Sequence, residues 1–237
     1  MGVANGQRIA QELDRIRKVY VTKDGSPVYA RAYCPLGQVE LGYHLEQLRA
    51  LGTLLREAGH DTLTNLRVLD VGCGAGRLLG DLIGLGADPG DLVGVDLSPE
   101  RIATARKLHP GVVFQCVAGD GLPFEDRSFD LVTQSVVFSS IHEHLLRERL
   151  AAEMQRCLRV GGYVFWWDLP HLVDTDIMAR LDPLSLFPGL PARVVKASWC
   201  PLPSAGIPRR LWRIPLGWAL DCFSGRRTHK AALLGPM

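Results

Sequence analysis

Three aspartates, Asp70, Asp96 and Asp120, end or follow short apolar stretches that predict buried strands. An ionised carboxylate only accepts hydrogen bonds, which suits it to holding the hydroxyl or amino groups of a ligand. Glycines follow Asp70 at every second position from 72 to 76, and a glycine-rich backbone can approach a ligand closely because no side chain intervenes. Open α/β sheets bind ligands at the carboxyl ends of their strands. The spacing therefore predicts a ligand site at this edge of a sheet.

A regular alternation of strands and helices is needed to bring these acids to one edge, and the sequence predicts it. Short apolar runs separated by helical patterns indicate a parallel sheet with right-handed crossovers. Ser98 and Pro99 predict a helix start, with Ser98 as the N-cap. Helices over 6–19 and 38–58 precede the core. The predicted core consists of strand 67–71, helix 77–85, strand 91–95, helix 99–107, strand 112–117, strand 129–133, helix 143–158, strand 162–167 and two last strands at 193–199 and 228–234.

The glycine spacing distinguishes between two kinds of nucleotide-binding loop. The dinucleotide fingerprint needs its third glycine at position 77, where Arg77 stands. An acid followed by G-x-G-x-G instead resembles motif I of the class I S-adenosylmethionine (AdoMet) methyltransferases. Four later segments resemble motifs of that family in the same order: Leu-Val-Gly-Val-Asp-Leu at 92–97, Gly-Asp-Gly-Leu-Pro-Phe at 119–124, Ser-Phe-Asp-Leu-Val-Thr-Gln at 128–134 and Leu-Arg-Val-Gly-Gly-Tyr-Val-Phe at 158–165.

This resemblance implies an α/β fold, a three-layer Rossmann-like sandwich around a seven-stranded, mostly parallel sheet of order 3-2-1-4-5-7-6. It implies an N-terminal helical lid over residues 1–60 and an AdoMet-dependent methyltransferase domain over residues 61–237. The chain also resembles a bacterial subgroup that tailors glycans or natural products. The implied activity is therefore methyl transfer to a small molecule, with the hydroxyl of a sugar or natural product as the favoured acceptor.

The resemblance also assigns roles in cofactor binding. Asp70 would reach the methionine amino group, Asp96 the ribose hydroxyls and Asp120 the amino group of adenine. Leu97 and Leu122 would contact the two faces of adenine. The complete set implied for AdoMet is Asp70, Gly72, Cys73, Gly74, Gly76, Asp96, Leu97, Asp120, Gly121, Leu122 and Gln134.

The segment after the fourth strand is where the family places residues that face the transferred methyl group. Here it lacks the N/D-P-P-Y/F signature of DNA-base and protein-amide methylation, so no DNA substrate is expected. His142 and His144 are candidate general bases, because imidazole changes its charge near neutrality; the alternative is a pair of solvated histidines. Asp168, at the end of the fifth strand, either orients a hydroxyl or caps the next turn. The zinc motif H-E-x-x-H fails because residue 146 is leucine, so no metal is expected.

The composition, 47% apolar and 22% charged over 237 residues, is that of a globular protein with a sizeable core. The six cysteines form no C-x-x-C pair, which favours reduced thiols over a disulfide framework. No apolar run reaches the roughly 18 residues of a membrane span. The polar first residues lack the apolar centre of a signal peptide, so a cytoplasmic location is expected.

Positive charge is concentrated in the last part of the chain. From Arg193 onward, eight lysines and arginines accompany one acid, Asp221. Such a segment is either a solvated face or a contact for an anionic partner. An RNA methyltransferase using this segment and a non-catalytic AdoMet-binding scaffold are therefore the alternatives. Peripheral membrane contact by the tryptophan- and arginine-containing stretch 208–223 and a homodimer also stay open.

Overall fold

The computed structural model describes residues 2–27, 38–169, 181–195 and 230–236. Within these residues, seven strands form one sheet of order β3-β2-β1-β4-β5-β7-β6. All neighbouring strands are parallel except at β7, which runs antiparallel to β5 and β6. The predicted fold class and strand order are confirmed. The strands are β1 (Val68–Val71), β2 (Leu92–Asp96), β3 (Val113–Cys116), β4 (Phe129–Ser135), β5 (Leu158–Asp168), β6 (Ala192–Val195) and β7 (Lys230–Leu234).

Helices cover both faces of this sheet and produce three layers. Alternate residues of β1 point to opposite faces, so Val68 and Leu69 belong to separate apolar clusters. Because both faces are covered, β1 is buried along its whole length. The helices in the described residues are α1 (Gly2–Asp24), α2 (Gln38–Glu57), α3 (Arg77–Gly84), α4 (Pro99–Leu108), α5 (His144–Cys157) and the one-turn α6 (Pro183–Leu186).

Each helix packs through the apolar stripe that its sequence predicts. Ile9, Leu13 and Ile16 of α1 are buried in the cluster that also contains apolar side chains of α5. The cluster on the other face contains Ala50, Leu51, Leu54 and Leu55 of α2 and Leu78, Leu79 and Leu82 of α3. The N-terminal helix predicted at 6–19 is longer than expected, and it runs from Gly2 to Asp24.

Local capping explains where the elements of the core begin. Ser98 has extended backbone angles and its Oγ accepts the backbone N–H of Arg101 at 3.2 Å, which confirms the predicted N-cap of α4. Glu143 caps α5 by accepting the N–H of Leu145 at 3.3 Å. Strand β5 begins four residues before the predicted position 162, because Leu158 already pairs with Phe129. The register shifts after this pair, because the next paired residues are Leu131 and Tyr163, so the additional residues lie in β5.

The last predicted strands are found in part. Residues 192–195 form β6 and 230–234 form β7, close to the predicted 193–199 and 228–234. Residues 196–229, with most of the basic segment and the stretch 208–223, lie outside the described residues. No helix of the part that the structure describes is long and apolar enough to cross a membrane.

Candidate cofactor and acceptor site

The glycine loop between β1 and α3 turns sharply at the carboxyl edge of the sheet. Gly72 and Cys73 donate their backbone N–H groups to the carbonyl oxygen of Val95, at 2.8 and 3.0 Å, which fixes the loop against β2. Gly72 has a φ of +74°, and a Cβ there would lie 2.4 Å from Cγ2 of Val137. This position therefore requires glycine for two reasons, the backbone angle and the close approach of the loop after β4.

Cys73 contributes its backbone and not its thiol to this loop. The side chain is buried, and burial raises the pKa of the thiol, so it stays protonated. Its Sγ packs toward β2, where a Cβ on Gly94 would lie only 2.8 Å from it. The role of the Cys73 backbone in lining the cofactor site stays a prediction.

Asp70 is a buried acid at the carboxyl end of β1. Its Oδ1 accepts a hydrogen bond of 2.7 Å from Oγ1 of Thr133 on β4. Burial raises the pKa of Asp70 to about 7, and the nearby charge of Asp96 raises it as well, against the opposing effect of the Thr133 hydroxyl. A cationic ligand group beside Asp70 would favour its ionised form, so the site suits an ammonium partner.

Asp96, in contrast, is held by backbone groups on both sides. Its Oδ2 accepts the N–H of Gly74 and its Oδ1 accepts the N–H of Ser98, each at 2.9 Å. Each oxygen keeps a second lone pair for a ligand. The carboxylate is thus fixed in direction between the glycine loop and the start of α4, an arrangement that can accept two hydroxyl groups of a ribose.

The residues predicted to contact adenine lie in two segments: Leu97 follows β2, and Asp120, Gly121 and Leu122 follow β3. Leu122 is buried in the core and Leu97 is half-buried, whereas Asp120 is exposed. A Cβ on Gly119 would lie 2.5 Å from Leu97 and 2.7 Å from Leu13, so α1 packs next to this segment. Leu97 therefore has α1 beside it, while the predicted acid Asp120 stays in contact with solvent.

Helix α5 holds the same segment through side chains that the motifs did not reveal. Glu153 accepts the N–H of Leu122 at 2.9 Å. Arg156 donates to the carbonyl oxygens of Leu122 and Phe124, at 2.9 and 2.7 Å. Glu153 and Arg156 are three residues apart on one helix, so the sequence predicts an ion pair between them. It does not show that the pair also binds the distant segment after β3. Gly121 lies within this held segment.

The loop after β4 is anchored by two buried polar side chains. The Oε1 atom of Gln134 accepts the N–H of Val137 at 3.1 Å, one turn further along the chain. Asp168 is fully buried and its Oδ2 accepts the N–H groups of Phe138 and Ser139, at 3.0 and 3.3 Å. Its Oδ1 accepts the N–H of Leu169 at 2.8 Å. Gln134 and Asp168 therefore determine the path of this loop.

These contacts favour the capping interpretation of Asp168 over its use as a base. Burial raises the pKa of Asp168 to about 7, although the surrounding hydrogen bonds oppose this rise. Three accepted backbone bonds occupy most of the lone pairs of the carboxylate. The catalytic role of Asp168 stays a prediction, and its geometry is that of a side chain that positions other residues.

The two candidate histidines lie in different surroundings. His142 is half-buried and borders a small cavity of about 20 Å³ together with Tyr20 and Ser140. His144 begins α5 with 66% of its side chain exposed, and it lies 3.3 Å from Glu148 one turn later. The structure therefore brings His142, but not His144, next to the N-terminal helix over the sheet edge.

Helix α1 contacts the loop after β4 through one polar side. Arg15 donates to the carbonyl oxygen of Ser140 at 2.6 Å, and the hydroxyl groups of Tyr20 and Ser140 are 3.0 Å apart. Glu12 accepts the backbone N–H of His142 through a short hydrogen bond. Burial would raise the pKa of Glu12, but the bonds from Arg15 and His142 hold it below its ordinary value.

The predicted residues fall into two groups around the sheet edge. Asp70, Asp96 and the glycine loop form a cofactor half at the ends of β1 and β2. The second group, which we call the acceptor half, is the loop after β4 with His142, together with Gln134 of β4 and Asp168 of β5, which bind this loop. Sequence reasoning missed Glu12, Arg15, Tyr20, Thr133, Arg101, Glu153 and Arg156. Only the apolar stripe of α1 indicated that this helix packs on the core; its polar contacts join residues more than 100 positions apart.

The residues of the cofactor half fit AdoMet. The fixed carboxylate of Asp96 suits a ribose, the buried carboxyl of Asp70 suits an ammonium group, and the glycine loop leaves room beside them. Residues 69–166 match the family model described as a methyltransferase domain. This segment of the chain, which runs from β1 into β5, is therefore similar to a methyltransferase domain, and AdoMet is the cofactor that this similarity supports.

Curated relatives match about half of the chain. A phthiotriol/phenolphthiotriol dimycocerosates methyltransferase of Mycobacterium ulcerans is 38% identical over 116 residues, 48% of this chain and 41% of the relative. A demethylmenaquinone methyltransferase of Chlorobaculum tepidum is 34% identical over 116 residues, 48% of this chain and 45% of the relative. The matched region spans less than half the length of each relative.

A solved structure extends the likeness in fold. The S-adenosylmethionine-dependent methyltransferase of Mesorhizobium loti superposes with a TM-score of 0.53 over 79% of this chain and 98% of its own. The sequence identity is 18%, so the likeness concerns the fold alone.

Proposed function

We propose that this protein transfers the methyl group of AdoMet to a hydroxyl group of a small molecule, forming an O-methyl ether on a sugar or natural product. One observation carries the proposal: the fixed Asp96–Gly74 cofactor half faces a loop with His142 and without N/D-P-P-Y/F. The names of the relatives, which refer to phthiotriol dimycocerosates and to demethylmenaquinone, support a small-molecule acceptor. The proposed setting is biosynthetic tailoring in the cytoplasm.

We propose the predicted residues as the cofactor site. AdoMet supplies a methyl group activated by its sulfonium charge. Asp96 accepts the ribose hydroxyls, Asp70 stands beside the methionine amino group, and the backbone at Gly72, Cys73, Gly74 and Gly76 lines the cofactor. Leu97 and Leu122 contact adenine, with Asp120 and Gly121 at its edge. Gln134 supports the site from the end of β4.

Positioning and the exclusion of water are the main tasks of the protein in such a displacement. In the proposed function, α1 belongs to a lid of residues 1–60, because it packs on the loops after β3 and β4. His142 accepts the proton of the acceptor hydroxyl at its imidazole nitrogen. Asp168 binds the backbone at Phe138 and Glu12 binds the backbone N–H of His142 itself, and both thereby fix the loop that carries His142.

The first experiment is a calorimetric titration of AdoMet and S-adenosylhomocysteine (AdoHcy) into the wild type and Asp96→Asn. We expect a loss of about tenfold or more in affinity, or roughly 1.4 kcal/mol. Asp61→Asn, an exposed acid, is the matched control and should bind as the wild type does. Equal affinity in wild type and Asp96→Asn would remove Asp96 from the cofactor site.

The second experiment identifies the acceptor. Isotope-labelled AdoMet is incubated with a panel of sugar, phenol, aliphatic-alcohol and quinol acceptors, and methyl incorporation is measured for the wild type and His142→Gln. Loss of a general base costs typically about 100-fold or more. Labelling of RNA alone, or AdoMet binding without transfer to any acceptor, would overturn the proposal in favour of the RNA or scaffold alternative.

A further inference from the structure

Helix α1 contacts three separate loops at the carboxyl edge of the sheet. Arg17 donates to the carbonyl oxygen of Ala118 after β3, at 3.1 Å. Arg15 and Tyr20 bond to Ser140 after β4. Asp24, in the last turn, pairs with Arg101 at the start of α4, after β2. The helix therefore lies across the loops that surround both halves of the site.

The contact of Arg101 differs from the others because it joins α1 directly to the cofactor half. Its Nε and Nη2 atoms donate to the two carboxylate oxygens of Asp24, at 2.8 and 2.5 Å. The same guanidinium lies over the ring of Tyr20, with 4.4 Å between Cζ and the ring centroid. One side chain thus binds α1 by a two-pronged ion pair and by a cation–π contact.

On its other side, Arg101 is attached to the residues proposed to hold the ribose. Its Nη1 lies 3.9 Å from the point where a Cβ on Gly74 would stand. Its backbone N–H is bound by Ser98, and the N–H of Ser98 is bound by Asp96. A displacement of Arg101 from α1 would therefore open the structure directly beside Gly74 and Asp96.

We propose that Arg101 is a positioning residue that fastens α1 over the cofactor half through Asp24 and Tyr20, and thereby determines how fast the cofactor product leaves. The inference rests on the proposed cofactor site. A ligand enclosed between Asp96 and α1 can leave only after these contacts have broken, so stronger contacts make its dissociation slower. The methionine and ribose portions are common to AdoMet and AdoHcy, so the fastening acts on both.

The expected change in the dissociation rate follows from the exposure of the Arg101–Asp24 ion pair to solvent. The side chains of Arg101 and Asp24 are 21% and 40% exposed, so the ion pair is weakened by solvent and salt. The stacking on Tyr20 adds to it. Together they predict an increase of about tenfold in the dissociation rate of AdoHcy when Arg101 is replaced, which corresponds to about 1.4 kcal/mol.

The test measures AdoHcy association and dissociation by stopped flow for wild type, Arg101→Met, Arg101→Lys, Asp24→Asn and Tyr20→Leu. We expect dissociation to be fastest in Arg101→Met and intermediate in Arg101→Lys, which keeps the charge but loses the planar fork. The double variant of Arg101→Met with Asp24→Asn should be no faster than Arg101→Met alone. Rising salt should speed dissociation from the wild type and leave Arg101→Met nearly unchanged.

Controls separate a fastening role from a structural one. Lys107→Met removes an exposed cation from the same helix and should leave both rates unchanged. Thermal unfolding verifies that each variant is folded, and Asp24→Asn tests the same contact from α1 if Arg101→Met is unstable. Unchanged dissociation in both variants, or salt dependence that survives in Arg101→Met, would overturn the inference. A wild type that does not bind AdoHcy would overturn the proposed cofactor site as well.

Discussion

The cofactor half and the acceptor half are both held by buried or half-buried carboxylates, yet they are built differently. Asp96 binds backbone groups of its own loop and of the neighbouring glycine loop, 2 and 22 residues away. Asp168 and Glu12 bind the loop after β4 from separate elements, and Glu12 comes from 130 residues away. The first arrangement leaves a local pattern in the sequence. The second depends on how distant elements are packed.

This difference suggests that the two halves respond separately to mutation. The cofactor half is part of the sheet edge, so a change there disturbs the strands themselves. The loop after β4 depends on hydrogen bonds from α1, so substitutions in α1 should displace His142 while Asp96 stays in place. The predictions below test this separation.

The largest effect is expected for Gly72→Ala in the cofactor half. A methyl group there would lie 2.4 Å from Val137 and the backbone φ is +74°, so overpacking adds to conformational strain. We expect the free energy of unfolding to fall by about 3 kcal/mol and AdoMet binding to be lost. Denaturant unfolding and calorimetry measure both quantities.

Gly86→Ala is the matched control for that change. Gly86 also has a positive φ, of +95°, but nothing lies within 4 Å of an added Cβ. Gly86→Ala should therefore lower the free energy of unfolding by only about 1 kcal/mol, because only the backbone strain contributes. Val137→Ala, combined with Gly72→Ala, should recover part of the stability by removing the clash. If Gly72→Ala and Gly86→Ala lowered the free energy of unfolding equally, the loop after β4 would not be closely packed on the glycine loop.

The next effect is a pH dependence that distinguishes Asp70 from Asp168. The pKa of each is raised to about 7 by burial, so the folded ligand-free protein binds protons that the unfolded chain releases near pH 4. The contribution of these two groups to the free energy of unfolding should therefore be greatest below pH 4 to 5. It should decrease as the pH rises to about 7. Denaturant midpoints across this range measure the decrease.

Cofactor binding should involve only one of these two acids. If the methionine amino group pairs with Asp70, AdoMet binding requires the ionised form, and affinity should rise by up to about tenfold per pH unit below pH 7. Asp70→Asn should abolish this slope, whereas Asp168→Asn should retain it. A slope that follows Asp168 would place the cofactor cation in the acceptor half.

The strands, the turn and the helix cap that form the cofactor half could be predicted from the sequence because their contacts are local, whereas the roles of its residues in binding AdoMet stay a prediction. The strands, the glycine turn, Ser98 as an N-cap and the carboxylate of Asp96 all follow from patterns within some 30 residues. Thr133 is adjacent to Asp70 only because β4 pairs with β1, and Glu12 meets His142 only when α1 packs on the sheet edge. Only the tertiary structure brings such partners together, so they cannot be predicted from the spacing of residues in the sequence.

A smaller effect is expected for Glu12→Gln, which weakens the acceptor half from α1. The amide still occupies the buried position but loses the charge that binds Arg15 and the N–H of His142. We expect turnover to fall about tenfold with the acceptor identified by the panel, while the AdoHcy affinity changes less than about threefold.

Asp14→Asn is the control for this change, since Asp14 is exposed on the same helix and pairs only with Lys18 among the ion pairs of the described residues. It should preserve both turnover and affinity. If Glu12→Gln weakened AdoHcy binding as much as turnover, the two halves would not be separable, and α1 would act on the site as a whole.

The smallest effect is expected for His144→Ala. His144 is largely exposed at the first position of α5, and its pair with Glu148 lies in solvent, where such pairs contribute little. Replacement should change the free energy of unfolding by less than about 0.5 kcal/mol and leave turnover within about twofold of the wild type. The measurement is a side-by-side assay with His142→Gln, whose larger loss is expected because His142 lies in the loop after β4, where Glu12 of α1 binds its backbone. A strong loss in His144→Ala would mean that the acceptor reaches the outer surface of α5, and it would move the proton-accepting position away from the loop that Glu12 and Asp168 hold.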